Sequence, residues 1–318
     1  MIAATRAKLG KGVMGKLKVC LFGKFRVYDA ETAVPGLEAK RTQELISYLL
    51  LQPDRPHARE SLANTLWDDQ STAQSKKHLR QSLWQLQSTL ETHFPNHKNL
   101  LLVDSEWLQI DPASGVISDV NIFEQGFATV RGVPGRDLSQ YQYETLTQIV
   151  DLYQGDLLEG WYQDWCLFQR ERLQNMYLAM LDKLMGFCEA HQAYEDGIYY
   201  GSRILSIDRA RERTHRRLMR LYFLAGDRTA ALRQYQRCVF ALEDELGVLP
   251  AYSTKQVYEQ IKADNLIDVF SISLNSTRQM PSLPETLLHL KQIQDLLIQF
   301  HTHIHHQIQI VEDFLNHQ

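Results

Sequence analysis

RERTHRRLMRLYFLAGDRTAALRQYQRCVFALEDELGVLP, residues 211–250, reads as two amphipathic helices joined by a tight turn at Gly226-Asp227. Leu218, Leu221, Tyr222 and Tyr235 occupy core-facing positions, and the arginines point the other way. The block has a partner upstream. LDKLMGFCEAHQAYEDGIYYGSRIL, from Leu181, aligns with the sequence from Arg216 at an offset of 35 residues. Under that offset Leu184 falls on Met219, Phe187 on Tyr222, Ala190 on Ala225, Tyr200 on Tyr235 and Leu205 on Phe240. Such a period, with small and aromatic residues at those positions, marks helix–turn–helix repeats of tetratricopeptide (TPR) type, each hairpin burying a face against the next. The helical pattern extends from Tyr141 to about residue 263.

Upstream of Tyr141, residues 113–140 are rich in glycine and read as a junction with a short helix around Val120–Val130. Before that, the period changes several times. LKVCLFGKFRVYD, residues 17–29, alternates apolar and polar residues like a strand pair broken at Gly23. Leu45, Ile46, Leu49 and Leu50 mark a helix ending at Pro53. Leu62, Leu66 and Trp67 mark a second, and Leu79, Leu83, Leu86 and Leu90 a third, from about Thr72 to Thr92. LLLVDSEWLQI, residues 100–110, then reads as a hairpin turning at Asp104-Ser105. Strands, three helices and a hairpin are the order of a winged helix with an extra N-terminal sheet.

The expected fold class is mostly α with a small β component. A winged-helix domain at 17–112 precedes the junction and an all-α, TPR-like helical-repeat domain at 141–263. A basic arm occupies 1–16, with Arg6, Lys8, Lys11 and Lys16 and no acids. Residues 264–284 read as a linker. Residues 285–318 carry Leu287, Leu290, Ile293, Leu297, Phe300, Ile304, Ile308, Val311 and Leu315 at helical spacing. This amphipathic helix is expected either to pack on its own repeats or to pair with a second chain.

Composition narrows the function classes. The 318 residues are 44% hydrophobic and 23% charged, with a formal net charge of −4, so any nucleic-acid surface must be local. Cys20, Cys166, Cys188 and Cys238 are scattered without a CxxC pair, which points to buried small hydrophobes instead of a zinc or disulfide framework. No apolar run is long enough for a signal peptide or a membrane helix, so a cytoplasmic location is expected. Gly10 and Gly15-Lys16 outline a phosphate loop, but Leu17 stands where magnesium needs a hydroxyl. No catalytic grouping stands out, no cofactor is required and an enzyme is not expected. His301 and His305 are four apart in the tail, but without a patterned acid or cysteine they read as part of a polar face, not a metal site.

Several stretches together resemble the SARP family, the antibiotic-regulatory-type bacterial activators. They are LKVCLFGKFRVYD, KRTQELISYLLLQPDRPHARESLANTLWDD (40–69), LYQGDLLEGWYQDW (152–165) and the 211–250 block ending in Glu245-Leu246-Gly247 and Pro250. The resemblance spans about residues 17–262. It implies an OmpR-like winged helix followed by a bacterial transcriptional activator domain, and hence a regulator that binds promoter DNA. RNA polymerase or another transcription factor would be a partner, and a homodimer would read paired half-sites.

In such a winged helix the third helix enters the major groove, with Lys and Arg on phosphates and polar side chains on bases. The residues expected there are Lys76, Lys77, His78, Arg80, Gln81 and Gln85, and Lys40, Arg41 and Arg59 would reach phosphates. Two features cut against this. Relatives carry further arginines late in the third helix, where this chain has Trp84, Gln85 and Gln87. Residues 17–112 also hold 11 Lys/Arg against 12 Asp/Glu, a net −1. The polar helix is therefore either a DNA-binding face or a solvated face on a scaffold that has lost that role.

Residues 203–237 contain ten arginines and three acids. Arg213, Arg217 and Arg220 share one helix face, and Arg233 and Arg237 another. Three readings stand side by side: a solvated face paired with acids elsewhere, a protein-docking surface, or an anion pocket. The last would suit a nucleotide effector such as cyclic di-GMP, with Tyr222, Tyr199 or Tyr200 stacking on its bases. It carries a second functional reading, a second-messenger receptor or adaptor that acts through a protein partner.

Overall fold

In the computed structural model Lys18 faces solvent between Leu17 and Val19, both fully buried, so the alternation read from the sequence is a real pleat (β1, Leu17–Cys20). The structure describes residues 17–29, 32–33, 37–68, 70–93 and 100–264. The expected basic arm, the amphipathic segment 285–318 with its histidines, and the linker beyond Asp264 lie outside these. The described residues fall in one compact unit.

β1 pairs antiparallel with β2 (Arg26–Asp29), which pairs with β3 (Thr32–Ala33). On its other edge β1 pairs in parallel with β7 (Ile117–Ser118), about a hundred residues later, giving the order β3-β2-β1-β7. Between them lie α1 (Lys40–Leu51), β4 (His57–Ala58), α2 (Arg59–Leu66), α3 (Thr72–His93) and the hairpin β5 (Leu101–Val103) with β6 (Trp107–Ile110). β4 joins that hairpin in a second sheet, order β4-β6-β5. Leu45, Ile46, Leu49 and Leu50 of α1 meet Leu79, Leu83, Leu86 and Leu90 of α3 in one core. Each such side chain, fully buried, is worth about 1.5–3 kcal/mol.

The second half is a run of antiparallel helices: α4 (Asp119–Thr129), α5 (Gln140–Val150), α6 (Asp164–Ala190), α7 (Tyr194–Ile207), α8 (Glu212–Leu224), α9 (Arg228–Leu246) and α10 (Tyr252–Lys262). Each packs on the next from α4 to α10. The turn at Gly226 takes φ +84°, which glycine adopts without strain, and Asp227 caps α9 by accepting the Ala230 N–H at 2.8 Å. Residues 113–140 are packed structure. A Cβ on Gly135 would meet the Lys183 carbonyl oxygen at 2.3 Å, so that glycine lets two backbones touch.

The halves are stitched together at Leu21–Gly23. Asp119 accepts the N–H groups of Leu21 (2.9 Å) and Phe22 (3.1 Å), and the Gly23 N–H reaches the Asp156 carbonyl at 2.8 Å. Leu158 returns an N–H to the Leu21 carbonyl at 2.9 Å. Burial pushes the Asp119 carboxyl up to about 6, although these N–H donors favour its ionised form. Arg170 braces the same loop with hydrogen bonds to the carbonyls of Leu157, Leu158 and Trp161. Among the described residues no helix is long and apolar enough to cross a membrane.

Candidate nucleic-acid interface

Helix α3 is held from behind by polar contacts as well as by leucines. Trp67, at the end of α2, is buried and donates its indole N–H to Glu44 of α1 at 2.9 Å. Ser75 donates to the Trp67 carbonyl at 2.8 Å, and the His78 ring meets the Trp67 ring edge-on at 6.0 Å. Thr42 of α1 donates to Gln85 at 3.2 Å. These contacts fix the rotation of α3 about its axis, and so decide which residues face outward.

Of the side chains expected on the outward face, Lys76, Lys77, Arg80 and Gln81 are exposed. His78 is not. It is 7% exposed and sits on the inner arc with Ser75, Leu79 and Ser82, so it packs against Trp67 and does not face a groove. Gln85 is half-buried on the flank and engaged by Thr42. Lys76 is paired with Glu60 at 2.8 Å, which holds the Glu60 carboxyl below the usual range. Lys40 and Arg41 are exposed in the first turn of α1, whose N-terminus has no side-chain cap. Arg59 is half-buried and donates to the Asp104 carbonyl at 2.8 Å, tying α2 to the hairpin turn. Three exposed side chains were absent from the sequence expectation: Gln74, Gln87 and, at 70% exposure, Trp84. Their signal is positional, since Trp84 lies two turns after Lys77 and one after Arg80 and Gln81.

The hairpin differs in character. Its tip is acidic, with Asp104 and Glu106 exposed, and Asp104 accepts the N–H groups of Glu106 (2.6 Å) and Trp107 (3.0 Å). Those two hydrogen bonds hold the Asp104 carboxyl below its ordinary value. Leu102, Val103 and Trp107 are exposed on its faces. Between the tip, α2 and α3 runs a groove of about 570 Å³ lined by Arg59, Glu60, Lys76, Arg80, Glu106 and Trp107.

The arginines of the second half are largely committed to structure. Arg217 is 12% exposed and binds Asp182 at 2.6 Å and Glu189 at 2.8 Å, both on α6. Burial alone would lower its pKa, but the hydrogen bonds and charges of Glu189 and Asp182 hold it above the usual arginine value. It is therefore an internal brace, whereas the sequence placed it on an open face. Arg213 lies 3.7 Å from Asp182 and is exposed. Arg203 bonds to Tyr177, Asp151 and the Val150 carbonyl, Arg216 to Ser253 and Thr254, and Arg228 to the last carbonyls of α10. Arg220, Arg233 and Arg237 remain exposed, and Tyr222 is half-buried. Arg237 donates to Gln234 at 3.4 Å. Tyr200 is buried beside Thr147, which leaves Tyr199 as the exposed member of that pair.

Residues 118–262 match the family model described as the bacterial transcriptional activator domain. Regulatory protein AfsR of Streptomyces coelicolor (strain ATCC BAA-471 / A3(2) / M145) is 23% identical over 276 residues, 86% of this chain. Residues 118–262 thus carry an activator-type domain, and most of the chain is similar to a regulatory protein of that kind. The chain spans 27% of the length of AfsR. Among solved structures, Mycobacterium tuberculosis EmbR in complex with a low-affinity phosphopeptide shares the fold at a TM-score of 0.59 and 17% identity, over 84% of this chain and 72% of that one. The activator domain begins at Ser118, the residue that pairs with Val19 in the N-terminal sheet, and so includes Asp119 and its grip on Leu21 and Phe22.

Proposed function

We propose that this SARP-like protein is a transcriptional regulator whose α1–α3 and β5–β6 hairpin form a DNA-binding winged helix, with α3 in the major groove. One observation carries the reading. The outward arc of α3 presents Lys77, Arg80 and Gln81 to solvent, while its inner arc is locked by Glu44, Trp67 and His78. A helix so fixed can offer a constant set of side chains to base edges, with Lys40 and Arg41 on flanking phosphates. The near-neutral charge of residues 17–112 implies modest affinity for one copy. A homodimer on paired half-sites would supply the rest. Helices α5–α10 would receive the partner, RNA polymerase or another regulator. A protein partner also fits the EmbR complex, whose ligand is a phosphopeptide.

A second reading rests on Arg220. Arg220 is exposed on α8 one turn after Arg216; partial desolvation and that neighbour's charge lower its pKa against the opposing pull of Glu189, and among the described residues no ion pair answers it. An anionic effector such as a cyclic dinucleotide, bound there, would relieve that charge.

Fluorescence anisotropy of the purified chain with duplex from its own upstream region, against random duplex, tests the first reading. Binding is expected to weaken steeply with salt and to favour the native duplex. Weak, salt-insensitive association with both duplexes would overturn it. Adding cyclic di-GMP to the same titration tests the second.

A further inference from the structure

Among the five tryptophans, Trp84 is the one left almost wholly to water, at 70% exposure, against 9% or less for Trp161, Trp165 and Trp67. Among the described residues no ring and no hydrogen bond engages its indole. It does not sit at a frayed end. It lies in the middle of α3, on the side opposite Leu79, Leu83, Leu86 and Leu90. With about 100° per residue, Trp84 lies some 20° around the helix from Lys77 and is flanked one turn earlier by Arg80 and Gln81. The largest apolar side chain of the outward arc thus stands at its centre, between a cation and an amide.

We infer that Trp84 reads thymine, by apolar contact of its indole with the C5-methyl group in the major groove. This rests on the reading of α3 as the groove-entering helix. The chemistry is selective. The thymine methyl is the one apolar group a base pair offers in that groove, whereas guanine and adenine offer acceptors and donors. Arg80 suits guanine O6 and N7, and Gln81 suits adenine N6 and N7. An indole between them is matched to the thymine methyl, the apolar group cytosine lacks, and the site it reads contains A·T pairs beneath the centre of α3.

The test is a two-by-two comparison. Duplex selected by the wild-type protein from a random pool is prepared with thymine or with deoxyuridine throughout, which removes the methyl and keeps the pairing. Wild type and Trp84→Ala are titrated with both, after circular dichroism confirms that the exposed substitution leaves the fold unchanged. Wild type is expected to lose about fourfold in affinity for each contacted methyl. Trp84→Ala is expected to bind the two duplexes alike. Wild type that binds thymine and deoxyuridine duplex equally, or a variant that keeps the wild-type preference, would overturn the assignment while leaving DNA binding intact. Wild type that selects no duplex at low salt overturns the DNA-binding reading itself, and this inference with it.

Discussion

Gln163 donates its side-chain amide to Glu44 Oε1 at 2.8 Å across 119 positions of sequence, while Trp67 donates to Oε2 at 2.9 Å. One carboxylate, 4% exposed, thus joins the start of α6 to the back of the α1–α3 unit. Glu44→Ala leaves two buried N–H groups without their acceptor, at about 1–3 kcal/mol each. The expected outcome is a lower thermal midpoint together with weaker DNA binding, because Trp67 also sets the rotation of α3. A normal midpoint by calorimetry would show that the joint carries no strain.

Arg217 is expected to matter for stability and its exposed neighbours are not. Arg217→Ala strands Asp182 and Glu189 in a half-buried seam, a loss of about 3–5 kcal/mol in urea unfolding. Arg233→Ala and Arg237→Ala, on the exposed face of α9, are expected to stay within about 0.5 kcal/mol of wild type.

The acidic hairpin tip predicts an unusual gain. If the hairpin lies along the phosphates, Glu106→Lys replaces repulsion by attraction, and the slope of log affinity against log salt steepens by about one. Lys77→Ala should flatten the same slope by about one. Lys76→Ala should do less, since Lys76 is shared with Glu60. Equal slopes for all four proteins would remove the hairpin and α3 from the interface.

His215 predicts a pH dependence. Its Nε2 meets the Arg209 carbonyl at 2.8 Å and its Nδ1 meets the Gln234 amide nitrogen at 2.8 Å, a pattern that the neutral ring satisfies. Burial, with Arg237 nearby, lowers its pKa against the opposing pull of those hydrogen bonds. With the folded pKa below the unfolded value of about 6.5, the unfolded chain takes up the proton first. The stabilisation is full above 6.5 and is lost as pH falls through the lowered value. Between about pH 7.5 and 6 His57 acts in the same sense as His215, whereas Asp119, pushed up to about 6, gains stability as pH falls and opposes them. The His215 contribution is therefore read by difference: over that range the urea midpoint of wild type should fall relative to that of His215→Gln.

The helices were legible where apolar spacing ran long enough to fix a phase, as in α3 and in the α8–α9 hairpin. What failed was fine phase and distant pairing. His78 shares an arc with Ser75 and Ser82, small residues that leave room for a ring, and that spacing was the available signal. Arg217 and Asp182 are 35 positions apart, as are Arg209 and Asp244, so equivalent places in successive hairpins meet with opposite charges. The repeat offset contained that information once charge was compared along with shape. The β1–β7 pairing had no local signal, because β7 is only two residues long and its partner lies about a hundred positions away.

That pairing recasts the layout of the chain. β1 and β7 are neighbours in one sheet, so everything from α1 through the β5–β6 hairpin is an excursion that departs from and returns to the same anchor. A unit mounted in this way can be exchanged as a cassette between two fixed attachment points, with Asp119 and the Leu21–Gly23 backbone serving as the socket. On the proposed DNA-binding reading, a change of DNA preference would require replacing only the excursion, while the receiving half keeps its sequence.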